Sequence, residues 1–172
     1  MAIIYNPNKK IFTLHTAHTT YQMQVDTLGY LLHLYYGEKT NSSMDYVLTY
    51  ADRGFSGNPY AAGMDRTYSL DALPQEYPSL GTGDYRNIAL NIKNEKGVES
   101  ADLLFKSYEI RSGKYQLQGL PAVWADENEA QTLEIVLADE NAQVEVHLLY
   151  GVLEETDIIT RSVRIKNMGT GQ

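Results

Sequence analysis

Two segments hold most of the side chains whose types and spacing could meet a ligand. Tyr50-Ala51-Asp52-Arg53-Gly54-Phe55-Ser56-Gly57-Asn58-Pro59 sets an acid, a base and an aromatic on a flexible frame. From the residues alone it reads as an exposed ion pair beside a packed phenylalanine. The second segment, SLDALPQEYPSLGTGDYR from Ser69 to Arg86, carries Pro74, Pro78, Gly81 and Gly83 among paired charges. Proline fixes φ and removes a donor while glycine admits positive φ, so this stretch is a string of turns. Leu70, Leu73, Tyr77, Leu80 and Tyr85 give it the apolar anchors of an ordered loop. Asp84 and Arg86, one residue apart, share a face if extended, and either pair with each other or dock outward. Glu76 is expected to anchor the loop through backbone N–H groups.

Other chemistry finds less support. His15-Thr16-Ala17-His18 has two imidazoles, but three residues apart in an extended strand they point to opposite faces, and no third ligand is evident. No metal site and no cofactor is assigned. Gly81-Thr82-Gly83 lacks the lysine and following helix of a phosphate-binding loop. The clusters Asp126-Glu127-Asn128-Glu129 and Asp139-Glu140 read as solvated turns.

The elements that position these loops are strands. Tyr21, Met23 and Val25 alternate with Gln22, Gln24 and Asp26, the period of a half-buried strand with the first set inward. The same alternation marks Ile88–Ile92, Leu133–Leu137, Val144–Tyr150 and Ile159–Ile165. Ala101–Leu104 could open a short helix, although Leu103, Phe105, Tyr108 and Ile110 read equally well as strand. Turn signals at Leu28-Gly29, Asn94-Glu95-Lys96-Gly97, Ser112-Gly113 and Asp139-Glu140-Asn141 suit an antiparallel sandwich. The expected fold class is all-β.

At 172 residues the chain fits one domain, able to bury about 70% of its unfolded surface. Cysteine is absent, which removes disulfides and fits a reducing compartment. The start MAIIYNPNKKIF has no signal-peptide pattern and no long apolar run follows, so a cytoplasmic protein without a membrane partner is expected. A net charge of −8 with scattered basic residues opposes nucleic acid.

The chain has 14 tyrosines, and sugars stack their C–H faces on aromatic rings while their hydroxyls meet polar groups. Tyr21, Tyr108 and Tyr150 fall within strand patterns and read as packing. Tyr60, Tyr68, Tyr77 and Tyr85 lie in loops and are the better candidates for contact with something else. Trp124, the one tryptophan, reads as packing or as an interface residue.

Several blocks, in order, resemble the amino-terminal region of bacterial family 36 α-galactosidases. They are FTLHTAHTTYQMQV (Phe12 to Val25), LLHLYYG (Leu31 to Gly37), SLDALPQEYPSLGTGDYR, GKYQLQGLPAVW (Gly113 to Trp124), TLEIVLAD (Thr132 to Asp139) and DIITRSVRIKN (Asp157 to Asn167). The resemblance implies that residues 1–172 are part of an amino-terminal β-supersandwich domain. A catalytic (β/α)-barrel and a carboxy-terminal domain would lie outside this chain. It implies a retaining glycosidase that releases α-linked galactose from melibiose and raffinose-type sugars, with its catalytic aspartates in that barrel, so no catalytic residue is assigned here. It further implies that Asp52 accepts a hydrogen bond from a galactose hydroxyl at the substrate-pocket rim, with Arg53 and Phe55 shaping it. Gly57 departs from the proline that relatives tend to carry. Glu76, Tyr77, Asp84, Arg86 and Trp124 become candidates for domain docking, and a homo-oligomer assembled through this domain is expected. The alternative is a stand-alone carbohydrate-binding or structural sandwich module, distinguished by binding galactosides unaided.

Overall fold

A computed structural model describes residues 2–52, 54, 60, 61, 63–81, 84, 86–94 and 96–169. Its regular elements are strands β1 (Ile3–Asn6), β2 (Ile11–His15), β3 (Thr19–Val25), β4 (Leu31–Glu38), β5 (Leu104–Ser112), β6 (Gln131–Asp139), β7 (Val144–Leu153) and β8 (Ile158–Asn167). Two short 3-10 turns, Asp45–Val47 and Glu154–Thr156, complete the set. The strands form two four-stranded antiparallel sheets, β1-β2-β3-β4 and β5-β6-β7-β8, each in chain order. Apart from residues 113–130 between β5 and β6, the connections within each sheet are short, because antiparallel neighbours need only a hairpin.

The two inner faces make the main core. Ile3, Phe12, Leu14, Tyr21, Met23 and Val25 from the first sheet meet Leu133, Ile135, Leu137, Val146, Leu148, Tyr150 and Val152 from the second. These are the residues set inward by the period-two pattern, and burying them is what drives the sheets together. Tyr5, Phe12, Phe105 and Tyr108 close the gap where β1 and β2 face β5, with the Tyr5 and Tyr108 rings 4.5 Å apart. A second, smaller core lies on the other face of the first sheet, where Tyr30 and Leu32 pack with Tyr68, Leu70 and Leu73 of the long connection.

The structure departs from the sequence reading in places and settles it in another. Ile88–Ile92 forms no strand. Leu90 is buried and Ile92 packs on the core, but the segment meets its neighbour at a single bridge to Ser79. Inward alternation buries side chains there without a sheet edge to complete a ladder. Of the two readings open for Ala101–Leu104 the structure takes the strand, with β5 beginning at Leu104. Tyr68, expected to be available for outside contact, is buried at 3% exposure, because its ring fills the second core. Asp139 is no solvated turn residue. It is buried, and it accepts the amides of Asp102, Asn141 and Ala142, fixing the β6–β7 hairpin.

Candidate functional site

The connection from β4 to β5, residues 39–103, carries most of the candidate residues, and the sheets hold it by two different means. Along the open edge of β4, Leu32 bridges Gln75, the amide of His33 donates to Pro74 O at 2.7 Å, and that of Glu76 donates to Leu31 O at 2.9 Å. Proline suits this edge, because Pro74 needs only its carbonyl. The extended stretch turns the Glu76 carboxylate into the mouth between the sheets, where its side chain is 2% exposed.

There it meets side chains from four strands. The hydroxyls of Tyr21 (β3) and Tyr150 (β7) donate to it at 2.8 Å, the Arg161 guanidinium (β8) lies at 2.7 Å, and His33 Nδ1 (β4) at 3.3 Å. The expectation of backbone partners for this carboxylate is thus corrected: Glu76 is held by side chains, since the gap between two sheets offers no free amides. Burial works to raise its pKa, but His33, Arg161 and the two tyrosines outweigh it and hold the carboxyl below its ordinary value. Burial, then the Glu76 charge, pushes both tyrosine hydroxyls up, so they remain donors. Arg161 also lies over the Tyr150 ring, 5.5 Å from its centroid. The signal that would have found this node was in the β8 pattern. Arg161 occupies an inward position between Ile159 and Val163, and a cation there demands a counter-charge.

Further along the loop, Asp84 and Arg86 pair with each other. Arg86 Nη2 lies 2.9 Å from Asp84 Oδ2, and Nε lies 3.0 Å from Oδ1. Gln75 donates to the same carboxylate at 2.7 Å. Arg86 also donates to the carbonyls of Leu70 and Leu73, so the pair cross-braces the loop. Burial would raise the Asp84 pKa, but Arg86 beside it wins and lowers it. Gly81, at φ +119, is required here, because a Cβ would come within 2.9 Å of the Ser100 side chain. Tyr77 is half-buried, its hydroxyl donating to Ala89 O.

The Asp52 region is built differently. Asp52 receives the Gly54 amide at 2.8 Å and faces Arg66 at 3.4 Å, and both side chains are open, 51% and 67% exposed. The expected rim partners Arg53 and Phe55, with Tyr85 of the neighbouring loop, lie outside the described residues. The contrast with the other acids is chemical. Asp26, Glu76, Asp84, Asp139 and Glu145 are buried and saturated by donors of the chain itself, a structural use. Asp52 keeps half of its side chain in solvent.

Trp124 stands 73% exposed on the connection between β5 and β6, near Leu120 at 66%. A groove of about 860 Å³ beside it is lined by Glu127, Glu129, Glu154 and Glu155. The two neighbouring histidines separate, His15 bonding Thr20 and His18 bonding Asp157. Among the described residues no group of three or more His, Cys, Asp or Glu side chains is placed to hold a metal ion. No described helix is long and apolar enough to cross a membrane.

Residues 29–172 match the family described as the glycosyl hydrolase family 36 N-terminal domain. The chain is 96% identical over 172 residues to the bifunctional α-galactosidase/sucrose kinase AgaSK of Mediterraneibacter gnavus, covering 100% of this chain and 18% of that protein. The solved galactosidase domain of AgaSK superposes with a TM-score of 0.95, over 99% of this chain and 24% of that one. The α-galactosidase AgaA of Geobacillus stearothermophilus is 42% identical over 171 residues, covering 98% of this chain and 23% of that protein. A variant of AgaA solved in complex with raffinose has a TM-score of 0.87 at 42% identity, over 93% of this chain and 22% of that one. The chain therefore spans about a fifth of the length of these curated relatives.

Proposed function

Because the chain belongs to the glycosyl hydrolase family 36 N-terminal domain family, we propose that it is the non-catalytic, pocket-framing part of a bacterial cytoplasmic α-galactosidase. The enzyme releases terminal α-linked galactose from melibiose and raffinose-type oligosaccharides with retention. Its nucleophile and acid/base, two carboxyls about 5 Å apart across the scissile bond, belong to a (β/α)-barrel beyond residues 1–172. The observation that carries this reading is the 42% identity, over nearly the whole chain, to an α-galactosidase of which a variant has been solved with raffinose.

Within that enzyme the domain supports subunit assembly, and Asp52 stands at the pocket rim as an acceptor for a galactose hydroxyl. The buried acids are taken up by donors of the chain itself, whereas Asp52 is half in solvent, which favours it for this role. Trp124, with its indole in solvent, is the foremost docking contact, and Tyr77 lies at the margin of the same loop system. Glu76, Asp84 and Arg86 contribute to docking by keeping that loop in shape.

The test compares the 172-residue chain with the full-length polypeptide on melibiose and on p-nitrophenyl α-galactoside. Hydrolysis by the full-length protein alone, with no galactoside binding to the isolated chain by calorimetry, is expected. Binding by the isolated chain would turn the reading to a stand-alone carbohydrate module.

A further inference from the structure

Tyr68 bridges the two ends of the segment that contains Asp52. Tyr50, before Asp52, stacks on the Tyr68 ring at 6.1 Å and 28°. Tyr60, after it, meets the same ring edge-on at 5.8 Å and 87°. Asp52 itself pairs with Arg66, two residues before Tyr68. Tyr68 is therefore the shared support of this part of the loop.

Tyr68 is in turn fixed by a carboxylate with two separate duties. Asp26 Oδ1 accepts the amides of Leu28 and Tyr30, each at 2.9 Å, and so closes the β3–β4 hairpin. Asp26 Oδ2 accepts the Tyr68 hydroxyl. Burial first, then the Asp26 carboxylate, pushes that hydroxyl's pKa up, so it stays a donor. A buried bond from a phenol to a carboxylate rooted in a hairpin defines a ring's position more narrowly than apolar packing alone.

We propose that the Tyr68 to Asp26 hydrogen bond sets the position of Asp52, making Tyr68 and Asp26 positioning residues for galactoside binding. The inference rests on Asp52 being a rim residue. Neither residue touches substrate. They fix the frame on which the acceptor stands, and a small displacement of an orienting group costs binding.

The experiment is a thermodynamic cycle in the full-length galactosidase, with raffinose and p-nitrophenyl α-galactoside as substrates. Tyr68→Phe removes only the hydroxyl and keeps the stacking. It is expected to raise KM roughly threefold to tenfold, the range of one net hydrogen bond, with kcat little changed; the thermal midpoint falls because buried Asp26 loses a donor, so KM is read well below that midpoint. In an Asp52→Ala background the same change should add nothing, because the acceptor it positions is gone. Tyr50→Leu, which removes one stacked ring, should behave the same way and keeps the test open if Tyr68→Phe folds poorly. A KM effect of equal size in both backgrounds, or a lowered midpoint with KM unchanged, would mean that Tyr68 is a packing residue and would overturn the proposal. Asp52→Ala leaving KM unchanged would instead overturn the rim reading, and this inference with it.

Discussion

Glu76 and Asp52 belong to the same long connection yet are built in opposite ways. Glu76 is sealed between the sheets, with two phenols, a guanidinium and an imidazole converging on it. Asp52 is half in solvent, with one backbone amide and one loosely held arginine. A carboxylate surrounded by internal donors has no capacity left for a ligand, and taking its partners away is costly. A carboxylate with spare lone pairs in solvent contributes little to stability and remains free for recognition. The loop is thus divided into a part sealed into the fold and a part open to solvent.

The strongest way to break this contrast is to remove the holding acid. Glu76→Ala leaves Arg161, Tyr21 and Tyr150 facing an unfilled gap, and truncating one member of a buried charge pair costs about 3–5 kcal/mol. Half of the Arg161 side chain is in solvent, so the low end of that range is expected, measured as the loss in urea-unfolding free energy. A cost below about 1 kcal/mol would place Glu76 with Asp52 and end the distinction.

Tyr150→Phe is the next step down. It leaves the ring in the core but withdraws one donor from the charged acceptor, for an expected loss of about 1.5–3 kcal/mol in the same unfolding measurement. Tyr21→Phe should cost a similar amount, and the double mutant should be non-additive because the hydroxyls share one carboxylate.

Acid sharpens the comparison further. The folded-state pKa of Glu76 lies below its ordinary value, so as pH falls the unfolded chain takes up the proton first. The stability Glu76 contributes is present above the unfolded value, about 4.3, and is lost as pH falls from there through the lower folded value. One titrating group limits the slope to about 1.4 kcal/mol per pH unit. Glu76→Gln should flatten the acid limb of a stability profile followed by urea unfolding.

How far all this could be read from sequence depends on range. The sandwich was legible because alternation is local. Met23, Ile135 and Leu148 declare an inward face to their own neighbours, and each is buried. Alternation cannot say whether an edge is available, which is why Ile88–Ile92 read as a strand and is not one. The Glu76 node was hidden for a different reason. Its partners come from β3, β4, β7 and β8, and only the sandwich brings Tyr21 and Tyr150 to the same oxygen. Asp52 was visible because its segment is compositionally unusual, but its support by Tyr68 was not. A loop tyrosine gives no local sign that a carboxylate at the end of β3 is waiting for its hydroxyl.

The smallest expected effect tests the open side of the contrast. Arg66→Ala removes the partner of Asp52, and an exposed pair with both side chains more than half in solvent is worth about 0–1 kcal/mol, less in salt. Unfolding free energy should change by no more than about 0.5 kcal/mol. The pair's value then lies in orientation, since Arg66 biases where the Asp52 carboxylate points without saturating it. Freed of Arg66, the carboxylate keeps the Gly54 amide on Oδ1 but samples more directions, so galactoside binding by the full-length enzyme should weaken by less than it does in Asp52→Ala. If Arg66→Ala destabilised the fold as Tyr150→Phe is expected to, the Asp52 region would be part of the scaffold, and the acid that meets the ligand would have to be sought elsewhere in the loop.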